Sequence, residues 1–179
     1  NETPLHFAVA DAMEMQRLLS EKLDFPLENI TLLLDEDATL QGIKKGMQDI
    51  ALNTSNNDRV LIYFGGHGET QDLPNGGEEG YLIPVNGKKS DLFLTSLPMS
   101  EMKRLSNLSP AKNMLFLMDA CYSGLMGVGN RGLKVNNNSL RKIAQGESRT
   151  IITAGKKGEI AQERPEWGHS PFVKNIISG

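Results

Sequence analysis

A thiol attacks an acyl carbon well only as thiolate, and a nearby imidazole can hold that state and later protonate the departing amine. The 179-residue sequence contains one cysteine, Cys121, and three histidines, of which His67 stands 54 positions before it. Each follows a short apolar run. Val60-Leu61-Ile62-Tyr63-Phe64 leads into Gly65-Gly66-His67-Gly68, and Met114-Leu115-Phe116-Leu117-Met118 leads into Asp119-Ala120-Cys121-Tyr122-Ser123-Gly124. Such runs, bounded by turn residues, predict buried strands with both residues at strand ends. An oxyanion formed by thiolate attack needs fixed donors. The backbone N–H groups of Gly68 and Cys121 suit that task, because glycine lets substrate approach closely. A lone cysteine is most often a small buried hydrophobe, and a turn histidine is often satisfied by backbone groups. Here the cysteine leaves a strand for a polar loop, where packing has little use for a thiol.

Other chemistries fit less well. A phosphatase loop would need arginine six residues after the cysteine, and Gly127 stands there. His67, Cys121 and His169 offer no pair at metal-ligand spacing, so no metal site is expected. Asp35-Glu36-Asp37 shares only acidity with a calcium loop, lacking the glycine and the closing glutamate at their required places, and reads as a solvated turn. His6 and His169 read as polar surface or helix-end groups.

The elements that must position Cys121 and His67 alternate between strand and helix. Ala8, Ala12, Met15, Leu19 and Leu23 line one face of a helix over about 6–23. Ile30–Leu34 predicts a strand, and Ile43, Met47, Ile50 and Ala51 predict a second helix. Residues 69–79 read as loop, and Tyr81–Val85 as an edge strand because Pro84 cannot donate to a ladder. A short helix is expected over Pro98–Leu105. Gly124–Asn138 predicts a mobile loop, followed by a helix near 139–145. Thr150–Thr153 predicts another strand, and Phe172, Val173, Ile176 and Ile177 a last helix. The expected class is α/β, a mainly parallel sheet with helices on both faces and ligands gathering beyond the carboxyl ends of its strands.

Length bounds the chain to one domain over 1–179. A formal charge of -3, from 19 basic and 22 acidic residues, gives no electrostatic footprint for nucleic acid. Apolar runs of five residues cannot span a bilayer, so no membrane partner is expected. One cysteine cannot form an internal disulfide, and the cytoplasm is the expected address.

The two blocks around His67 and Cys121, taken together, resemble the caspase and metacaspase superfamily of cysteine peptidases. The resemblance runs from Leu5 and Asp11 through Tyr81-Leu82-Ile83-Pro84 to Glu159–Glu163 and Gly168-His169-Ser170. It implies the caspase-like three-layer fold and a Cys-His dyad without a third member. Caspases carry Gln-Ala-Cys where this chain has Asp119-Ala120-Cys121, so it is closer to the bacterial, metacaspase-like branch, the orthocaspases. In metacaspases the matching aspartate resembles the floor of a pocket for Arg or Lys before the scissile bond, and a carboxylate favours a cation there. Glu163, with Glu159 as its substitute, falls where a second pocket acid is carried. Thr153 is grouped with these as a substrate-binding position. Self-cleavage at Arg131, with Lys134 as the second choice, is expected from a pocket that accepts basic residues and from the glycine- and asparagine-rich loop.

The resemblance further implies a protein or peptide substrate and no required cofactor, with calcium activation left open. Family members normally open with an apolar strand ahead of the segment matching Asn1–Leu5. The chain is therefore expected to belong to a longer one with further domains. A scaffold that binds partners without cleaving, or a peptidase of acidic specificity, are the rival readings.

Overall fold

The computed structural model describes residues 5–120, 148–154 and 167–178. Five helices are described, α1 (Ala8–Lys22), α2 (Leu40–Asn53), α3 (Leu92–Thr95), α4 (Ser100–Leu108) and α5 (Pro171–Ser178). The strands are β1 (Arg59–Gly65), β2 (His67–Asp72), β3 (Glu78–Ile83), β4 (Leu97–Pro98), β5 (Asn113–Asp119) and β6 (Ser148–Thr153).

The main sheet has the order β1-β5-β6, with both neighbours of β5 parallel to it. Side chains alternate across a strand, so a continuous apolar run serves two faces. On one face Leu61, Tyr63, Leu115 and Leu117 meet Met15 and Leu18 of α1 and Phe172, Val173, Ile176 and Ile177 of α5. On the other, Val60, Ile62, Phe64, Met114, Phe116 and Met118 meet Ile43, Met47 and Ile50 of α2 and Met102 and Leu105 of α4. The layers are helix, sheet, helix, as expected. The chain enters α2 through a cap in which Thr39 Oγ1 accepts from the Gly42 N–H at 3.0 Å.

A second sheet has the order β2-β3-β4, antiparallel throughout, and docks on the α2/α4 side through Leu82 and Leu97, both buried. Three expectations are corrected here. Residues 69–79 are a hairpin, turning at 73–77 with Gly76 and Gly77 at positive φ, where glycine carries no steric penalty. Its polar composition hides a strand that cross-strand pairing with Tyr81, Leu82 and Ile83 stabilises. The segment expected as an edge strand over Tyr81–Val85 is instead the middle strand, ending at Ile83 before Pro84. Ile30–Leu34 is extended at Ile30 and Leu34 but pairs with no strand among the described residues. Branched side chains favour extended backbone, but a strand also needs a neighbour's hydrogen bonds. The loop expected over 124–138 and the helix near 139–145 lie outside the described residues.

Phe116 is almost fully buried in the middle of β5. Phe116→Ala is expected to lower stability by about 3–5 kcal/mol through lost transfer energy and the cavity left behind. Urea unfolding followed by circular dichroism measures it, and a loss below about 1 kcal/mol would contradict the packing described.

Candidate active site

Parallel pairing of β1 with β5 sets Gly65 opposite Asp119, the last residue of each strand. One further bond closes the strand ends: the Gly66 N–H donates to the Asp119 carbonyl at 3.1 Å. His67 follows Gly65 by two positions, and Cys121 follows Asp119 by two. His67, expected in a glycine-rich turn at the end of the first strand, itself begins β2, where it faces Ile83 across the hairpin while Gly68 faces Leu82. Only Gly66 intervenes between β1 and β2. A Cβ on Gly66 would come within 2.7 Å of the Phe64 ring, which would have to shift to admit it. Thr153 ends β6 opposite Met118, half-buried, and the Ala154 N–H donates to the Met118 carbonyl at 3.0 Å. His67, Gly68, Asp119 and Thr153 thus share the carboxyl edge of the main sheet. Cys121, Glu159, Glu163, Arg131 and Lys134 lie outside the described residues.

Asp119 is buried, only 9% exposed, and its surroundings are polar. Ser170 Oγ donates to its Oδ2 at 2.5 Å, and the Tyr63 hydroxyl points to the same oxygen at a longer 3.5 Å. Ser170 also receives the Val173 N–H at 3.1 Å, the bonding of a helix N-cap at the start of α5. Behind Ser170 lies Asp11, 1% exposed, whose Oδ2 accepts the Ser170 backbone N–H at 3.1 Å and whose Oδ1 lies 2.7 Å from His169 Nδ1. A carboxylate only accepts, which places the hydrogen on Nδ1. His169 is therefore a helix-end group, as its sequence context implied, and one engaged by a buried acid.

The sequence pattern of the caspase domain family matches residues 1–178. The chain belongs to that family. Among curated caspase-domain relatives, it is 23% identical over 185 residues to Metacaspase-4 of Arabidopsis thaliana, covering 98% of this chain and 40% of that protein. It is 26% identical over 132 residues to Metacaspase-1A of Aspergillus oryzae, covering 67% of this chain and 30% of that protein. The chain therefore spans less than half the length of these curated relatives. The crystal structure of protein GSU0716 from Geobacter sulfurreducens shares the fold, with a TM-score of 0.63 at 17% identity over 94% of this chain and 70% of that one.

Asp11, Ser170 and Tyr63 carry part of the resemblance in the sequence but were assigned no place beside Asp119. Asp11, Met15 and Leu19 step by four and are the buried residues of α1, so an acid on an apolar stripe was the available signal. A serine ahead of Pro171 and an apolar helix was the signal for Ser170 as a cap. Tyr63 is a phenol within an otherwise aliphatic and phenylalanine strand. No group of three or more potential metal ligands occurs among the described residues.

Burial holds the Tyr63 phenol above its ordinary range, reinforced by the negative charges of Asp119 and Asp11 and by the hydrogen bond to Asp119. A raised pKa in the folded state contributes stability below the unfolded value, about pH 10, and loses it as pH rises further. Urea unfolding at about pH 8 and about pH 11 should show a steeper alkaline loss in the parent than in Tyr63→Phe. Equal losses in the two proteins would contradict the placement of Tyr63.

Proposed function

We propose that this caspase domain is a cysteine endopeptidase that cuts after Arg or Lys through a thioester on Cys121. The observation that carries the reading is the register of β1 with β5. It starts the segments bearing His67 and Cys121 from adjacent strand ends, joined by the Gly66 to Asp119 bond. Neighbouring strands lie about 4.8 Å apart, so two residues of chain from each side suffice to bring a thiol and an imidazole into reach.

In this reaction the Cys121 thiolate adds to the scissile carbonyl while His67 holds the proton. Backbone N–H groups of Gly68 and Cys121 stabilise the oxyanion as the tetrahedral adduct forms. Collapse breaks the C–N bond as His67 gives its proton to the leaving amine. Water, deprotonated by the same imidazole, then adds to the thioester, and the thiolate leaves as the acid product departs. Asp119, with Thr153 and Glu163 or Glu159, recognises the basic side chain. The chemistry needs no cofactor. Substrates are proteins or peptides, the setting is cytoplasmic, and nucleic acid and membranes are not partners. No described helix is long and apolar enough to cross a membrane.

Cys121→Ala and His67→Ala should abolish peptide cleavage with cooperative unfolding retained. Fluorogenic peptides ending in Arg should be cleaved in preference to those ending in Asp, and Asp119→Ala should lower that preference by roughly a hundredfold. Turnover by purified Cys121→Ala sinks the mechanism. Faster cleavage after Asp by the parent protein establishes acidic specificity instead, and no cleavage of either peptide by a folded, alkylatable protein establishes a binding scaffold.

Self-cleavage is expected after Arg131, and to a smaller extent after Lys134, because both stand in a glycine- and asparagine-rich segment with little side-chain bulk beside Arg131. Intact-mass spectrometry of the active protein beside identically prepared Cys121→Ala checks it. Equal fragments in both samples would mean that another protease made the cut. An unbroken chain under conditions of peptide turnover would defeat the expectation.

A further inference from the structure

The proton that His67 gives up goes to the leaving amine, so the half of the substrate beyond the cut passes the imidazole and meets whatever lies next on that face of β2. Side chains two apart on a strand share a face and stand roughly 7 Å apart, which puts Glu69 there. Across the hairpin the same face carries Ile83 opposite His67 and Tyr81 opposite Glu69, and both are buried. The segment from Gly87 to Lys89 runs beside them. A Cβ on Gly87 would lie within 2.7 Å of Ile83 Cγ2, and Lys89 Nζ stands 3.5 Å from Glu69 Oε2. The other carboxylate oxygen, Oε1, accepts the Thr70 N–H at 3.1 Å, so the acid is also held by its own strand. Both members of the ion pair keep contact with solvent, Glu69 at 38% side-chain exposure and Lys89 at 46%. The next acid on this face, Glu79, is engaged elsewhere, accepting the Ser100 N–H at 3.1 Å at the start of α4.

We propose that Glu69 is a specificity residue on the leaving side of the cut: it favours a basic side chain on the first residue after the scissile bond, and Lys89 is the internal cation which that side chain displaces. The inference rests on the reading of His67 as the proton donor to the leaving amine, and not on which residue precedes the cut. A lysine at that place has its backbone nitrogen at the imidazole and a flexible four-carbon stem with which to reach a carboxylate two residues further along the strand. An exposed ion pair holds little energy because water screens it, so exchanging one ammonium for another costs little. The pair also sets the size of the effect. An acid already partly neutralised discriminates modestly, and removing its internal partner sharpens it.

The experiment uses internally quenched peptides that differ only in the residue after the cut, which is lysine, its neutral acetylated form or glutamate. One series carries arginine before the cut and a second carries aspartate. Products are identified by mass, so that only cleavage at the intended bond counts. The readout is the ratio of kcat/KM values within one protein, from which any general loss of activity cancels. The parent should prefer lysine to glutamate about tenfold at low salt, with the acetylated peptide between them, and the preference should shrink toward unity at about 1 M salt. Glu69→Gln should bring the ratio to about one. Lys89→Gln, which removes the internal cation, should raise it about threefold, and Glu69→Lys should invert it. A parent that cleaves all three peptides at one rate overturns the proposal, as does an unchanged ratio in Glu69→Gln, and both leave the reading of His67 intact. A ratio that falls in Lys89→Gln as it does in Glu69→Gln marks the pair as a structural brace and overturns it too. Should Glu69→Gln fail to fold, Lys89→Gln and the salt dependence of the parent decide. No turnover of either series by the parent overturns both readings.

Discussion

The parallel register that sets Gly65 opposite Asp119 is the constraint on which the rest of the molecule depends. A one-residue slip would turn every side chain of β1 to the opposite face, sending Tyr63 into the α2/α4 layer and Phe64 against α1. Both faces of β1 and β5 are packed by apolar side chains of different sizes, so the slip has no comparably packed alternative. The same register delivers two chain segments to one end of the sheet at equal lengths.

Among the described residues, the two buried carboxylates of this apolar frame, Asp11 and Asp119, are linked through Ser170. Asp11, Asp119, Ser170, Tyr63 and His169 form a connected set between α1, the main sheet and α5, and the donors arrive as hydroxyl, backbone and imidazole groups rather than from arginine or lysine. An arginine or lysine at that position would neutralise the acids. Hydroxyl donors hold the carboxylates in place and leave the local field negative.

Much of this was legible in the residue order. The main-sheet strands and the helices α1, α2 and α5 follow from apolar period and from runs bounded by turn residues, and His67 and Asp119 stand where those runs end. The hairpin was not legible, because Glu69, Thr70, Gln71 and Asp72 carry no strand signal of their own and become a strand only beside β3. The middle position of β3 was missed because Pro84, read as part of the strand, lies just past its last paired residue. Asp11 and Ser170 were invisible as a pair because a bond across 159 positions depends on tertiary packing that no local pattern encodes.

Loop closure also orders the events by which this edge is built. The hairpin bearing His67 closes across the five residues 73–77, whereas Arg59 must find Asn113, 54 positions further along, before the main sheet exists. Closing the longer loop costs more entropy and is the slower step. During synthesis everything through Ile83 emerges before β5 does, so the imidazole is in place on its hairpin while the segment that leads to the thiol is still unmade. A chain that ends before β5 therefore carries His67 without Cys121, and the edge where β1 ends opposite β5 closes only with completion of the sheet.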